Sequence, residues 1–201
     1  MLRPIWQDQS ELAYNPLPVK EIETTGGLPM SDKMIARVEG QVYILEREFA
    51  APRETVFQMF AEARHLQHWW GPRGWTLPVC NMDFRPGGVW HYCIKCVDER
   101  QEAFFGFESW GKGVYEEIEA PAKIVYTDYF SDAEGREAAD FPASQVTMLF
   151  LEEAGRTRLV SRSLFDSHEA LQAVLDSGME QGIAETWDRL AEYLDTLLAS
   201  D

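Results

Sequence analysis

Three things are scarce in this chain of 201 residues: cysteine, cationic side chains and long apolar runs. The cysteines number three. An odd count with no even framework gives no disulfide scaffold and suits a reducing compartment, so a cytoplasmic protein is expected. Lys and Arg total 18 against 34 Asp and Glu, a formal charge of −16. Nucleic acid and anionic membranes attract basic faces, so this balance argues against both as partners. No apolar run approaches the roughly 20 residues needed to span a bilayer, and membrane insertion is not expected. The opening MLRPIWQDQSELAYNPLP lacks the basic start and apolar block of a secretory signal. What remains is an acidic globular chain, 45% hydrophobic and long enough to bury a full core.

The acid is uneven. From Asp98 to Asp140 there are twelve Asp and Glu against four Lys and Arg. Such a surface serves solubility, with a docking face for a basic partner as the second reading.

Residues 1–40 stand apart. Pro4, Pro16, Pro18, Pro29 and Gly26-Gly27 interrupt them, and periodicity is weak. They read as an N-terminal extension to a domain over 41–201. Ile5, Trp6, Leu12, Tyr14 and Leu17 are too apolar for a solvated tail. Part of the extension is therefore expected to lie on its own domain or on a second subunit of a homodimer.

From Val42 the pattern sharpens. VYILEREF alternates, with Tyr43, Leu45, Arg47 and Phe49 on one side and Glu46 and Glu48 on the other, as a strand does. APRETVFQMFAEARHLQHWW follows with helical spacing at Val56, Phe57, Phe60 and Ala61, and Gly71-Pro72 and Gly74 stop it. Two short helices fit better than one. Six strands are predicted next, near 76–84, 89–97, 111–119, 123–130, 145–152 and 157–163. Their short connections imply antiparallel neighbours. An acidic loop spans 131–144, and 98–109 is irregular with Phe104, Phe105 and Phe107. SHEALQAVLDSG reads as a short helix. In GMEQGIAETWDRLAEYLDTLLAS, Met179, Ile183, Trp187, Leu190, Leu194 and Leu197 draw one apolar stripe along a long helix. The expectation is an α+β fold in which a curved antiparallel seven-stranded sheet wraps a long C-terminal helix, the only element long enough to cover it.

The pieces EREFAAPRETVFQMF, LQHWWGPRGW, DFRPGGVWHYCIK, GVYEEIEAPAKIVYTD, VTMLFLEEAGRTRLV and GMEQGIAETWDRLAEYL carry a resemblance. From about 42 to 198 the chain resembles the activator of heat-shock-protein-90 ATPase homologue-like proteins, of the START-related, Bet v 1-like helix-grip (SRPBCC) superfamily. The resemblance implies a cavity between sheet and C-terminal helix. It does not imply one reaction, because that superfamily includes lipid carriers, hormone sensors, cyclases and chaperone-linked modules.

Several motifs compete for chemistry. Trp69, Trp70 and Trp75 in HLQHWWGPRGW seal the end of the core, and Trp70 also lines the cavity mouth. His65 and His68 share a helix face but lack a third metal ligand. Cys93 and Cys96 fall mid-strand, where residues three apart point to opposite faces, so no redox pair is expected. Arg85-Pro86-Gly87-Gly88 is a hairpin turn. Arg47, turned inward, must be paired or solvated. It bonds a carboxylate such as Asp128, or it holds the acidic head of an apolar ligand. Asp128, between Tyr126 and Phe130, is an acid in an aromatic setting that raises its pKa.

The leading expectation is a binding module for a small, largely apolar ligand in a cavity on the order of 300–1,000 Å³. Its lining is Arg47, Trp70, Trp90, Tyr92, Ile94, Tyr115, Asp128, Met148, Phe150, Met179, Ile183 and Trp187. Trp90, Tyr92 and Ile94 share a strand face, taken as inward because the other carries His91 and Lys95. Two alternatives stay open. One is a protein-interaction module, chaperone-linked or other, using 98–140. The other is a cyclase- or hydrolase-type enzyme using Asp128, His91 or Tyr115. No catalytic residue, metal or cofactor is assigned.

Overall fold

The computed structural model describes residues 34–177 and 179–199. The apolar residues between Ile5 and Leu17, and with them the expected cover or second-subunit contact, lie outside the described residues. Eight antiparallel strands form one sheet: β1 (Ile35–Glu39), β2 (Val42–Phe49), β3 (Trp75–Met82), β4 (Val89–Cys96), β5 (Glu108–Glu119), β6 (Lys123–Ser131), β7 (Ser144–Glu153) and β8 (Arg156–Phe165). Their order across the sheet is β1-β2-β8-β7-β6-β5-β4-β3. Four helices accompany them: α1 (Arg53–Ala61), α2 (Ala63–Trp69), α3 (His168–Asp176) and α4 (Met179–Leu198). This is the helix-grip arrangement. None of the described helices is long and apolar enough to cross a membrane.

The eighth strand departs from the expected seven. IARVE is exposed at every position, so it has no buried face and no alternation to read. Backbone pairing with β2 makes it a strand, through a two-residue turn in which Gly40 takes φ 61°. The break between α1 and α2 is Glu62, whose extended backbone (φ −129°, ψ 122°) ends one helix and starts the next. Gly71 (φ 104°) and Gly74 (φ 81°) then turn the chain into β3.

Strand register fixes what meets on the concave face. One row runs Tyr115–Tyr126–Val146–Ser163–Tyr43 across β5, β6, β7, β8 and β2. The next, nearer the 131–144 segment, runs Trp90–Gly113–Asp128–Ser144–Phe165. Beyond it lie Tyr92, Gly111 and Phe130. The α4 stripe faces this surface: Trp187, Leu190 and Leu194 are buried, and Met179, Ile183 and Leu197 pack half-buried on the same core. α1 plugs the opposite end, with Phe57 and Phe60 edge-on to Phe150 at 5.2 and 5.4 Å between centroids. The short helices thus part company: α1 closes one end of the grip, and the turn after α2 borders the other.

Candidate functional site

The concave face is built around two glycines. Gly111 and Gly113 leave β5 bare where its neighbours carry large rings. A Cβ on Gly111 would lie 2.3 Å from Cζ of Tyr92, so the Tyr92 ring lies across that position. A Cβ on Gly113 would lie 3.2 Å from the Tyr126 ring and 3.6 Å from that of Trp90. Trp70, at the end of α2, stands edge-on to Trp90 (4.7 Å) and Tyr92 (5.7 Å), and Trp90 stacks on Tyr92 at 4.4 Å. Trp69 is fully buried behind them, against Phe60. Trp75 instead meets Phe104 and Phe107 and donates its indole N–H to Gln101.

The interior is filled. Phe60, Leu66, Trp70, Trp90, Tyr115, Ile124, Tyr126 and Met148 enclose a gap of about 10 Å³, room for no more than about one water. The expected cavity of several hundred cubic ångströms is not present in this conformation. The reason is the bulk of the very rings expected to line it, which pack edge to face until they exclude space. Half-buried side chains do border this core: Trp70, Tyr92, Ile94, Met179 and Ile183. They define a candidate mouth.

Asp128 is half-buried in the row beside Gly113. Among the described residues no hydrogen bond or ion pair reaches its carboxylate. Burial alone pushes its pKa up to about 7. Its charge in turn acts on Tyr92 and Tyr126, whose hydroxyls burial has already pushed well above the ordinary phenol range.

Arg47 does not pair with Asp128. It is 7% exposed and donates to Asp188 of α4 at 2.5 Å, with its guanidinium 5.6 Å from the Phe49 ring centroid. Asp188 stays half exposed on α4 while its carboxylate meets this arginine. Met148, Tyr115 and Trp90 surround the closed gap, Phe150 sits deep against α1, and Trp187 meets Phe49 at 6.3 Å. His91 is on the convex side, stacked on Trp110 with Nε2 3.0 Å from the carbonyl of Asp132, and does not join Asp128. Tyr115 is on the concave side but contacts Tyr126 and Phe84.

The histidine pair has its own setting. His65 Nδ1 lies 3.0 Å from the Tyr193 hydroxyl and His68 stacks on the Tyr193 ring at 4.6 Å. An open groove of about 370 Å³ adjoins them, lined by His68, Arg73, Arg189, Glu192 and Tyr193. Its charges are matched internally: Arg73 pairs with Glu192, and Arg189 donates to the carbonyls of His68, Gly71, Pro72 and Trp75. Arg189 is thereby the latch that ties α4 to the turn before β3. Among the described residues no group of three or more His, Cys, Asp or Glu side chains is placed to hold a metal.

Sequence reasoning missed Tyr126, Phe60, Leu66 and Ile124 as walls of the gap. Period two along β6 puts Ile124 and Tyr126 on the face of Asp128, so that signal was available. Nothing local marks Phe60 or Leu66 as more than core.

Comparison with known proteins bears on this site only through the fold. No curated protein matches the chain. A crystal structure from Mycobacterium smegmatis is 28% identical, with a TM-score of 0.70, covering 81% of this chain and 95% of that one. A solution structure from Arthrobacter aurescens is 26% identical, with a TM-score of 0.71, covering 82% and 91%. The crystal structure of an AHSA1 protein from Silicibacter pomeroyi is 25% identical, with a TM-score of 0.57, covering 77% and 98%. The sequence model described as "Activator of Hsp90 ATPase homolog 1-like protein" matches residues 50–195, from the start of α1 into the last turns of α4. That match takes in α1, α2, the aromatic turn, β3 to β8 and most of α4, and the chain belongs to the activator of Hsp90 ATPase homolog 1-like family.

Proposed function

We propose that the protein is a binding module for a small, largely apolar ligand, held where the concave face of the sheet meets the first half of α4. The observation that carries this reading is Asp128, a half-buried carboxyl that no described residue satisfies, set beside the half-buried apolar rim of Trp70, Tyr92, Ile94, Met179 and Ile183. An acid without a partner among the described residues, its pKa raised by burial among aromatic rings, marks a candidate site. Because the gap is closed, a ligand enters only by displacing a ring, and Trp70 and Tyr92, both half-buried, are the rings at its rim. Three cysteines without disulfides fit a cytoplasmic setting for this role.

The test is titration of the full chain with naphthylethanol, a neutral apolar probe, followed by amide NMR. Saturable one-to-one binding that shifts β4, β5, β6 and the start of α4 supports the reading. Failure of this alcohol and of its amine and carboxylate analogues alike to saturate, or shifts confined elsewhere, overturns it.

A second reading draws on Phe104, Phe105 and Phe107, each more than half exposed on the connection between β4 and β5, beside Glu99 and Glu102. Clustered exposed aromatics on an acidic surface suit a protein partner, and the family name suggests an Hsp90-type chaperone. Stimulation of a purified Hsp90 ATPase, lost on changing the three phenylalanines to serine, is the expected outcome of that reading. Unchanged ATPase rates would remove it.

A further inference from the structure

We infer that the ligand class of this site is the amines: molecules with an aromatic or aliphatic body and a protonated nitrogen, for which Asp128 is the counter-ion. The inference rests on the binding-module reading above and adds the sign of the ligand's charge.

Four observations carry it. Asp128 stands alone. Arg47 holds Asp188 through one nitrogen and keeps its Nε without a partner among the described residues, and Arg189 is held by four backbone carbonyls, while Asp128 has neither a cation nor a hydrogen bond among the described residues. Arg47, the residue that could have drawn an acidic ligand, has its charge paired with Asp188 of α4. Next, the surroundings of Asp128 suit a cation. Trp90, Tyr92 and Tyr126 lie in its row or the adjoining rows, and Trp70 packs on the first two. Aromatic faces attract ammonium groups electrostatically, more strongly where water is excluded. Third, Gly111 and Gly113 let the rings of Tyr92, Tyr126 and Trp90 lie close over β5, beside Asp128, so that a ligand displacing Tyr92 meets bare backbone there. Last, the whole chain carries −16, a field that gathers cations and repels acids.

Binding is coupled to a proton. Below neutral pH the Asp128 carboxyl holds a proton, because burial raises its pKa to about 7. An incoming ammonium displaces that proton to solvent and leaves a carboxylate–ammonium pair. The other titratable groups facing this region do not change charge in the same range. Tyr92, Tyr126 and Tyr115 are all pushed up by burial, as are Cys80 on β3 and, on β2, Tyr43, whose hydroxyl Glu180 of α4 pushes up further. Amine affinity should therefore rise about tenfold between about pH 6 and pH 8.

The experiment compares naphthylethylamine, naphthylethanol and naphthylacetate by calorimetry on the full chain. The amine is expected to bind at least about tenfold more tightly than the alcohol, with the acid weakest. The tenfold rise with pH is expected for the amine and not for the alcohol. Asp128→Asn, checked for folding by its melting curve, should bring the amine-to-alcohol affinity ratio to about one. Equal binding of amine and alcohol to the wild-type chain, or a preference that survives Asp128→Asn, or a flat pH profile for the amine, overturns the inference and leaves the binding module standing. If none of the three probes binds, both fall together.

Discussion

Asp128 sets the strongest expectation at the scale of single residues. Its folded pKa of about 7 lies above the ordinary carboxyl value of 3.8. Below that ordinary value both states are protonated and the group contributes nothing. As pH rises from about 4 to 7 the unfolded chain ionises first, the native state binds more protons, and stability falls. The loss is on the order of 2–4 kcal/mol by pH 8. Asp128→Asn should remove that slope and raise the melting temperature at pH 8 above that of the wild type. A variant whose melting curve tracks the wild type at every pH would contradict this. Gly111→Ala makes a second case. The new methyl group meets the Tyr92 ring at 2.3 Å, and a half-buried ring can swing away. A cost of about 1–3 kcal/mol with a shifted tyrosine environment by NMR is expected. At this scale the sequence was half legible. Asp128 and its aromatic neighbours were readable from alternation, because strand faces have period two. That Arg47 pairs with Asp188, 141 residues away, was not, because no local pattern links a strand to a distant helix turn.

Among the elements, α4 decides stability. Its stripe is the cover of the sheet, and Trp187 at 4% exposure is its largest buried side chain. Trp187→Ala should cost about 3–5 kcal/mol in chemical denaturation. Leu198→Ala, at 42% exposure on the same helix, should change stability by no more than about 0.5 kcal/mol. α3 is held at its start by Ser167, whose side chain accepts from the amide of Ala170 at 3.0 Å. Ser167→Ala should cost about 1 kcal/mol. The strands and helices of the grip were readable to within a few residues, since each has a buried and a wet face. β1 was not, because an all-exposed edge strand is defined by its partner's backbone alone.

The molecule as a whole carries its acid as self-repulsion. With −16 spread over the chain, added salt should screen like charges and raise the melting temperature. A melting point that falls as NaCl approaches about 0.2 M would show instead that ion pairs such as Arg73–Glu192 outweigh the net charge.

By itself the sequence determined the class of fold, the face of each strand that turns inward and the helix that covers them. These follow from hydrophobic period, which is local and survives without coordinates. Only the tertiary structure decided that the hollow is closed, that Arg47 pairs with Asp188 and that Asp128 has no partner among the described residues. Volume and charge pairing depend on which side chains from distant segments reach the same point, and no spacing along the chain records that.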